Sequence, residues 1–528
     1  MKPQTASGLF QKILIANRGE IACRIIRTCQ NLGIPTVAVY SEADRDALHV
    51  RLADDAFHIG KATPEDSYLN HERILETAIQ CQADAIHPGY GFLAENDVFA
   101  EACLSKGIHF IGPRPESIRE MGSKSRAKQL MQEAGVPVVP GYHGDKQDYK
   151  TLRNEAEKIG FPLLIKPVAG GGGRGMRVVR QLNELEEALT LSRSEAKNAF
   201  GDDNVLLERF IEGPRHIEFQ IFGDQHGNFV HLHERECSIQ RRHQKILEES
   251  PSPFLDETLR KQMAEASLKA ANAVQYLGAG TVEFIVGEDR SFYFIEMNTR
   301  LQVEHPVTEM RTGLDLVEWQ IRVASGEKLP LDQDQIRPKG HSIEVRVCAE
   351  NPERGFLPSS GLLELYDFPE DPSASGSSLI RLDSGFEQKD RVGIHYDSML
   401  AKLIVHGEER EKALETIQHA LKYTAIIGPE TNLGFLQKLV SHPQFLEGNA
   451  DTLFIDACLP ELLQNEETTP EWIYWACAID FLQSEQESAR QKAANSSNPH
   501  SPWHFFDNWR MGGEEPFQIS FRDEENHQ

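Results

Sequence analysis

Residues 294–309 read Phe-Ile-Glu-Met-Asn-Thr-Arg-Leu-Gln-Val-Glu-His-Pro-Val-Thr-Glu. In that stretch Glu296, Asn298, Arg300, Gln302 and Glu304 recur at every second position, with Met297, Thr299, Leu301 and Val303 between them. An extended backbone sends alternate side chains to opposite faces, so the five polar groups would share one side. The wet face of a half-buried strand has the same period. The residue types argue for more. Glu with Asn is a set of oxygen donors for a hard cation, and Arg with Gln and Glu suits an oxyanion and a proton transfer.

A second carboxylate lies close by. Residues 281–286 (Thr-Val-Glu-Phe-Ile-Val) and 291–296 read as two strands around Gly-Glu-Asp-Arg at 287–290. A four-residue loop puts Glu283 opposite Phe294 and makes Glu296 its diagonal neighbour, about 7–8 Å away between Cα atoms. Carboxylates so placed can converge on one or two divalent cations, whereas without a cation they repel. The plainer alternative is a solvent-facing pair, which the flanking Val, Phe and Ile disfavour. Glu283, Glu296 and Asn298 offer oxygen only, which favours Mg²⁺ or Mn²⁺ over zinc.

Lys166 ends an apolar run and is followed by a loop with glycine at 170–173 and 175, then Met176 and the β-branched residues 178–179. The G-x-G-x-x-G match is a product of glycine richness, since a dinucleotide turn needs a helix next. No G-K-[ST] follows, so this is not a Walker loop. Strand–loop–strand predicts a flap whose backbone amides close on phosphate oxygens, with Lys166 as a point charge beside them. A flexible surface hairpin is the competing account. Residues 235–245 (Arg-Glu-Cys-Ser-Ile-Gln-Arg-Arg-His-Gln-Lys) concentrate cations between the apolar stretches 229–232 and 246–247. A solvated or targeting patch is the usual meaning of such a run; the apolar flanks point to a lined, anion-holding pocket.

These groups sit in a chain of 528 residues with a formal net charge of −26. Such acidity argues against a nucleic-acid partner and against an anionic membrane surface. The length calls for three or four domains. None of the eight cysteines has C-x-x-C spacing, which disfavours a zinc site and a disulfide scaffold and fits a reducing compartment. An apolar run begins at residue 13, too early and too short for a targeting peptide, so a cytoplasmic protein is expected.

Residues 10–112 alternate short apolar runs (12–16, 36–40, 85–86, 109–111) with helical patterns, notably 20–32 closed by Gly33. That is the βαβ rhythm of a parallel sheet. The loops at 17–20 and 87–91 follow strand ends, where ligands bind in open α/β sheets, although ordinary turn chemistry explains either one equally well. Helices are expected after Lys124 and near 148–159, and strands at 162–166 and through 211–335. A further mixed unit follows at 338–455, and a helix over 470–494 carries Trp472, Trp475, Ile479 and Leu482. A linker over 496–502 and a lone strand at 517–521 complete the expectation.

Taken together, residues 15–20 (Ile-Ala-Asn-Arg-Gly-Glu), the Lys166 flap, Gln-Arg-Arg-His-Gln-Lys at 240–245 and the 296–309 segment resemble the biotin carboxylases, which are ATP-grasp ligases. The resemblance covers roughly residues 10–455. Gly-Tyr-His-Gly at 141–144 and Val-Glu-Trp-Gln-Ile at 317–321 resemble the methylcrotonoyl-CoA carboxylase branch. It implies an α/β fold in four parts: a Rossmann-like N-terminal domain (1–122), an ATP-grasp domain (123–335) with a mobile lid at about 137–210, an α+β C-terminal domain (336–455), and a linker with the start of a bridging domain (456–528). It implies carboxylation of biotin by bicarbonate at the expense of ATP. Lys124, Lys166, Gly171, Gly172, Gly173 and Met176 would hold the phosphates. Glu208, Arg209 and Ile211 would line the adenine pocket, with His216, Gln240 and His243 near the nucleotide. Lys245, Arg300, Gln302 and Val303 would hold bicarbonate, and Glu283, Glu296 and Asn298 the Mg²⁺ or Mn²⁺. Glu304 resembles the base, and Arg346 the residue that steadies the biotin enolate.

The resemblance further implies a biotin carrier domain or protein, a carboxyltransferase subunit and self-association. No Met-Lys-Met tripeptide occurs in this chain, so the biotin is expected on another polypeptide or on a segment outside this sequence. Rival readings are the same component of an acetyl- or propionyl-CoA carboxylase, an ATP-grasp ligase joining a carboxylate to an amine, and a non-catalytic assembly subunit.

Overall fold

The computed structural model describes residues 8–168, 175–242, 244–369, 378–464 and 471–499, with Ser501 and Ile519. Residues up to Leu463 form one compact unit and those from Gln464 a second. Gly171, Gly172, Gly173 and His243 lie outside the described residues, as do the proposed strand at 517–521 apart from Ile519 and the bridging fragment beyond Ser501.

The N-terminal part is a five-stranded parallel sheet. Its strands are β1 (Ile13–Ile15), β2 (Thr36–Ser41), β3 (Asp55–Gly60), β4 (Ala85–His87) and β5 (His109–Phe110), in the order β3-β2-β1-β4-β5. Ile13, Leu14 and Ile15 are wholly buried, as a strand covered on both faces requires. The helix Gly19–Leu32 follows β1 and stops at Gly33, whose φ of 71° is the left-handed cap that glycine adopts without strain. Strand β3 had no apolar run to betray it, because only Ile59 of its six residues is buried.

A small four-stranded sheet comes next, with β6 (Gly141–Tyr142), β7 (Leu163–Pro167), β8 (Arg177–Val179) and β9 (Val205–Arg209) in the order β6-β9-β7-β8. Leu163 pairs with Val179 and Ile165 with Arg177, so the glycine loop does join two antiparallel strands. With the helices Tyr149–Ile159 and Leu185–Phe200 this sheet encloses a core of its own, including Leu152, Leu163, Ile165, Val179, Leu189 and Leu207. A unit with a separate core can shift as one piece without opening its neighbours.

The remaining strands of the first unit that carry the site belong to one eight-stranded antiparallel sheet. They are β10 (Arg215–Gly223), β11 (Phe229–Arg241), β12 (Gln244–Ser250), β13 (Gly278–Val286), β14 (Phe292–Asn298) and β15 (His341–Cys348), with the strands Met399–Gly407 and Ser378–Ser384. The order is β14-β13-β10-β11-β12-β15, then Met399–Gly407, then Ser378–Ser384. The sheet therefore runs across residue 336, where a domain boundary was expected. Apolar residues of β10, β13 and β14 (Ile217, Phe219, Val282, Phe284, Phe294) pack against the helix Glu257–Ala273. The second unit contains the helix Glu471–Ala494, on which Trp472, Trp475 and Ile479 are exposed.

Candidate active site

Four charged residues stand in one row across the large sheet. Glu296 lies opposite Glu283, Glu283 opposite Glu218, and Glu218 opposite Arg235. This corrects the expected diagonal placement of the two metal-pair carboxylates. The loop between β13 and β14 is one residue longer than expected, so Phe284 pairs with Phe294, and an irregularity between Glu283 and Phe284 then brings Glu296 level with Glu283. Directly opposed residues have Cβ atoms roughly 5 Å apart, closer than the diagonal.

The alternating segment is corrected too. Strand β14 ends at Asn298, residues 299–304 form neither strand nor helix, and the helix His305–Thr312 begins directly after Glu304. The side chains converge all the same. Arg300 donates to Gln302 Oε1 (2.9 Å) and to Asn298 Oδ1 (3.3 Å), and Gln302 and Asn298 donate to Glu283 Oε1 at 3.2 and 2.8 Å. Arg300 is held from the N-terminal part by Glu95 Oε2 at 2.8 Å, and the same carboxylate accepts from the Thr299 N–H.

Lys245 is the hub. Its Nζ donates to Glu218 Oε2 (2.5 Å), Glu283 Oε1 (3.0 Å) and Glu304 Oε1 (2.6 Å). The other Glu304 oxygen accepts from Arg346 Nη2 at 3.1 Å, and the same nitrogen donates to Glu248. His216 Nε2 lies 2.9 Å from Glu283 Oε2. Gln240 stands opposite Lys245 in the β11–β12 pairing, and the Val303 carbonyl accepts from Lys402.

The electrostatics follow from burial set against these partners. Burial would raise Glu283, but Lys245 and His216 outweigh it and hold the carboxyl below its ordinary range. Glu304 is likewise depressed, its burial outweighed by Lys245, Arg346 and Arg235. Glu296 moves the other way: burial and the facing Glu283 raise it, and His216 and Lys124 offset only part of that. The charge of Glu283 is thus offset by its neighbours and that of Glu296 only in part. A hard divalent cation between two glutamates and an amide oxygen would remove that imbalance, so Glu283, Glu296 and Asn298 fit Mg²⁺ or Mn²⁺.

Lys166, expected at the phosphates, and Glu208, expected in the adenine pocket, belong to a second cluster. Glu208 on β9 is buried between Lys166, whose Nζ is 2.6 Å from Oε2, and Lys128, with His143 Nδ1 at 4.0 Å. The two clusters feel each other, since Lys124 and Glu296 both act on the charge of Lys166. Met176 is half-buried just before β8. Arg209 is exposed and its backbone N–H donates to Pro140 O at 2.9 Å, while the half-buried Ile211 lies beside Gly287.

The basic run does not act as one patch. Its members separate because β11 and β12 form a hairpin. Arg235 is wholly buried and bonds Glu218 Oε1 (2.6 Å), Gln220, Thr281 and Thr308. Arg241 lies over the Phe356 ring and Arg242 is exposed near the turn. Arg235 meets the carboxylate row at Glu218, and among the described residues of the run Lys245 alone bonds Glu283 and Glu304 as well. Sequence reasoning missed Glu95, Lys128, Glu218, Glu248 and Lys402. For Glu218 a signal existed: His216, Glu218 and Gln220 alternate with the buried Ile217, Phe219 and Ile221. For Glu95 and Lys402, far away in sequence, there was none.

Comparison with known proteins places this geometry. Family models match in three consecutive blocks: the biotin carboxylase N-terminal domain over residues 9–118, the ATP-binding domain of the carbamoyl-phosphate synthase L chain over 123–332, and the biotin carboxylase C-terminal domain over 344–457. The chain is 48% identical over 515 residues to the mitochondrial methylcrotonoyl-CoA carboxylase subunit alpha of Dictyostelium discoideum, covering 98% of this chain and 72% of that one. It is 52% identical over 446 residues to the biotin carboxylase of a Nostoc species, covering 84% of this chain and 98% of that one. Among solved structures it resembles the biotin carboxylase domain dimer of Hydrogenobacter thermophilus 2-oxoglutarate carboxylase, in complex with MgADP, ADP and bicarbonate. That match has a TM-score of 0.80 and 47% identity, and covers 87% of this chain and 100% of that one. The expected cytoplasmic location is corrected here, because the methylcrotonoyl-CoA carboxylase relatives of Dictyostelium, mouse and Arabidopsis are mitochondrial proteins. With the parallel N-terminal sheet, the two-sheet ATP-grasp region and these matches, the chain belongs to the biotin carboxylase family and is the ATP-dependent biotin carboxylase component of a biotin-dependent carboxylase.

Proposed function

We propose that the Lys245 hub is where bicarbonate is activated, and that this chain serves a methylcrotonoyl-CoA carboxylase. The observation that carries the reading is the threefold bonding of Lys245 Nζ to Glu218, Glu283 and Glu304. One cation ties the carboxylate row to the candidate base.

Lys124, Lys166, Met176 and the glycine loop hold the ATP phosphates. Glu208, Arg209 and Ile211 lie on the adenine side, and His216, Gln240 and His243 near the nucleotide. A divalent cation on Glu283, Glu296 and Asn298 would supply charge stabilisation on the phosphate oxygens. Arg300, Gln302, Lys245 and the Val303 peptide orient bicarbonate so that one of its oxygens faces the γ-phosphorus in line with the departing ADP oxygen. In the resting site Glu304 is ionised but weakly basic, because Lys245 and Arg346 neutralise it. A bound anion that draws those cations towards itself raises the proton affinity of Glu304 as the bicarbonate proton must leave. Arg346, freed in part from Glu304, then faces the ureido oxygen of biotin as negative charge develops there. The carboxyphosphate formed is short-lived in water, which gives the small sheet and its glycine loop a reason to close over it.

The biotin arrives on a carrier outside this sequence, and a carboxyltransferase subunit receives the carboxyl group. The chain acts as a dimer, as the Hydrogenobacter domain does. The test of the chemistry is isotopic. Bicarbonate labelled with ¹⁸O should pass one label into inorganic phosphate during biotin carboxylation. Unlabelled phosphate would exclude bicarbonate as the attacking nucleophile.

A further inference from the structure

Residues 299–304 belong to no strand or helix, yet they carry Arg300, Gln302 and Glu304. Their position therefore depends on anchors from elsewhere. One is Glu95, which receives the Thr299 N–H at the start of the segment. Another is near its end. Lys402 Nζ donates to the carbonyl oxygen of Val303 at 2.8 Å.

Lys402 is an unusual anchor. It lies on the strand Met399–Gly407, directly opposite Arg346 of β15, and its side chain is wholly buried. Glu20 Oε1 is 3.3 Å from its Nζ, Asp383 Oδ2 is 3.8 Å away, and the Tyr90 ring centroid 5.9 Å. Burying an ammonium group costs several kcal/mol before its partners compensate. A residue needed only to fill space there would be apolar. It ties the strand beside Arg346, on which it lies, to the helix after β1 through Glu20 and to the peptide between Gln302 and Glu304.

We propose that Lys402 is a positioning residue for bicarbonate activation: by fixing the Val303 peptide it sets Gln302 and Glu304 relative to Arg346. It touches no substrate. This inference rests on the bicarbonate reading of the 299–304 segment. The rival role is that of a counter-charge to Glu20, whose carboxyl is buried.

The two roles separate in a pair of variants assayed in the full chain, K402M and K402M/E20Q. The double variant removes the ammonium together with the Glu20 charge nearest to it, while Asp383 keeps its two bonds from Arg381. Steady-state rates are measured while bicarbonate and ATP are varied separately. Positioning predicts a bicarbonate KM raised about tenfold in both variants, with the ATP KM within roughly twofold of the parent. Recovery of the parent bicarbonate KM in the double variant overturns the proposal, because charge balance alone would then explain Lys402. So does a parallel rise of both KM values, or failure of both variants to fold. If the parent's rate shows no dependence on bicarbonate, the reading beneath the inference fails instead, and the parent assay alone shows that.

Discussion

Glu283 and Glu296 oppose each other directly across β13 and β14, but Lys245 and His216 lie against Glu283 while burial and the facing Glu283 raise Glu296. The asymmetry gives the pair opposite mutational signatures. Glu296 is disfavoured as an anion in the folded chain, so Glu296→Gln should raise metal-free stability by about 1 kcal/mol while abolishing Mg²⁺-supported turnover. Glu283→Gln should lower stability, since Lys245 and His216 lose a charged partner. Thermal unfolding in EDTA, with and without added Mg²⁺, reads both. Equal behaviour of the two variants would contradict the geometry.

Lys245 holds three carboxylates that are each almost wholly buried. Lys245→Met should cost roughly 3–5 kcal/mol, because it leaves buried negative charge uncompensated. Urea denaturation of the variant checks this. A loss near 1 kcal/mol would mean that the carboxylates relax or take up protons at little cost.

Arg300 depends on a residue some 200 positions away. Its Nε donates to Glu95 at 2.8 Å, and Glu95 also caps the Thr299 N–H. Glu95→Gln keeps the shape and weakens both bonds. The bicarbonate KM should rise about five- to tenfold, with ATP binding unchanged by calorimetric titration. An unaltered bicarbonate KM would remove Glu95 from the account.

Glu236 tests the pH dependence of stability away from the reacting groups. It is buried, accepts from Ser238 and from Ser252 (2.6 Å), and is pushed up to about 7, mainly by burial, with Arg215 opposing. A folded-state value above the unfolded one means that stability from the protonated form is fully present below about pH 4.5 and is lost as pH rises through about 7. Glu236→Gln should therefore flatten the stability profile between those values and stabilise the protein at pH 8 by roughly 2–3 kcal/mol. An unchanged profile would place the proton elsewhere.

Much of this site was legible in the sequence because chemistry-bearing residues recur on few strands. Glu283, Glu296 and Asn298 share one hairpin, and Lys245 closes an apolar-flanked cationic run near the start of β12. What could not be read was register. One extra loop residue and one bulge turned a diagonal pair into a facing one, and neither has a residue-type signature. The straight row from Glu296 to Glu304 was misjudged because a helix with Pro306 in its first turn begins at His305, and the chain must leave the strand before it. The contributions of Glu95 and Lys402 were invisible for a different reason: each reaches the 299–304 segment from another part of the fold, through contacts that sequence spacing does not encode.

A single site for ATP, bicarbonate and biotin makes ADP release depend on all three. Measuring that release in the presence of Mg²⁺ tests the dependence most directly. The account predicts slow release with ATP alone and a large increase only when bicarbonate and free biotin are both supplied. Release that is indifferent to either one would contradict it.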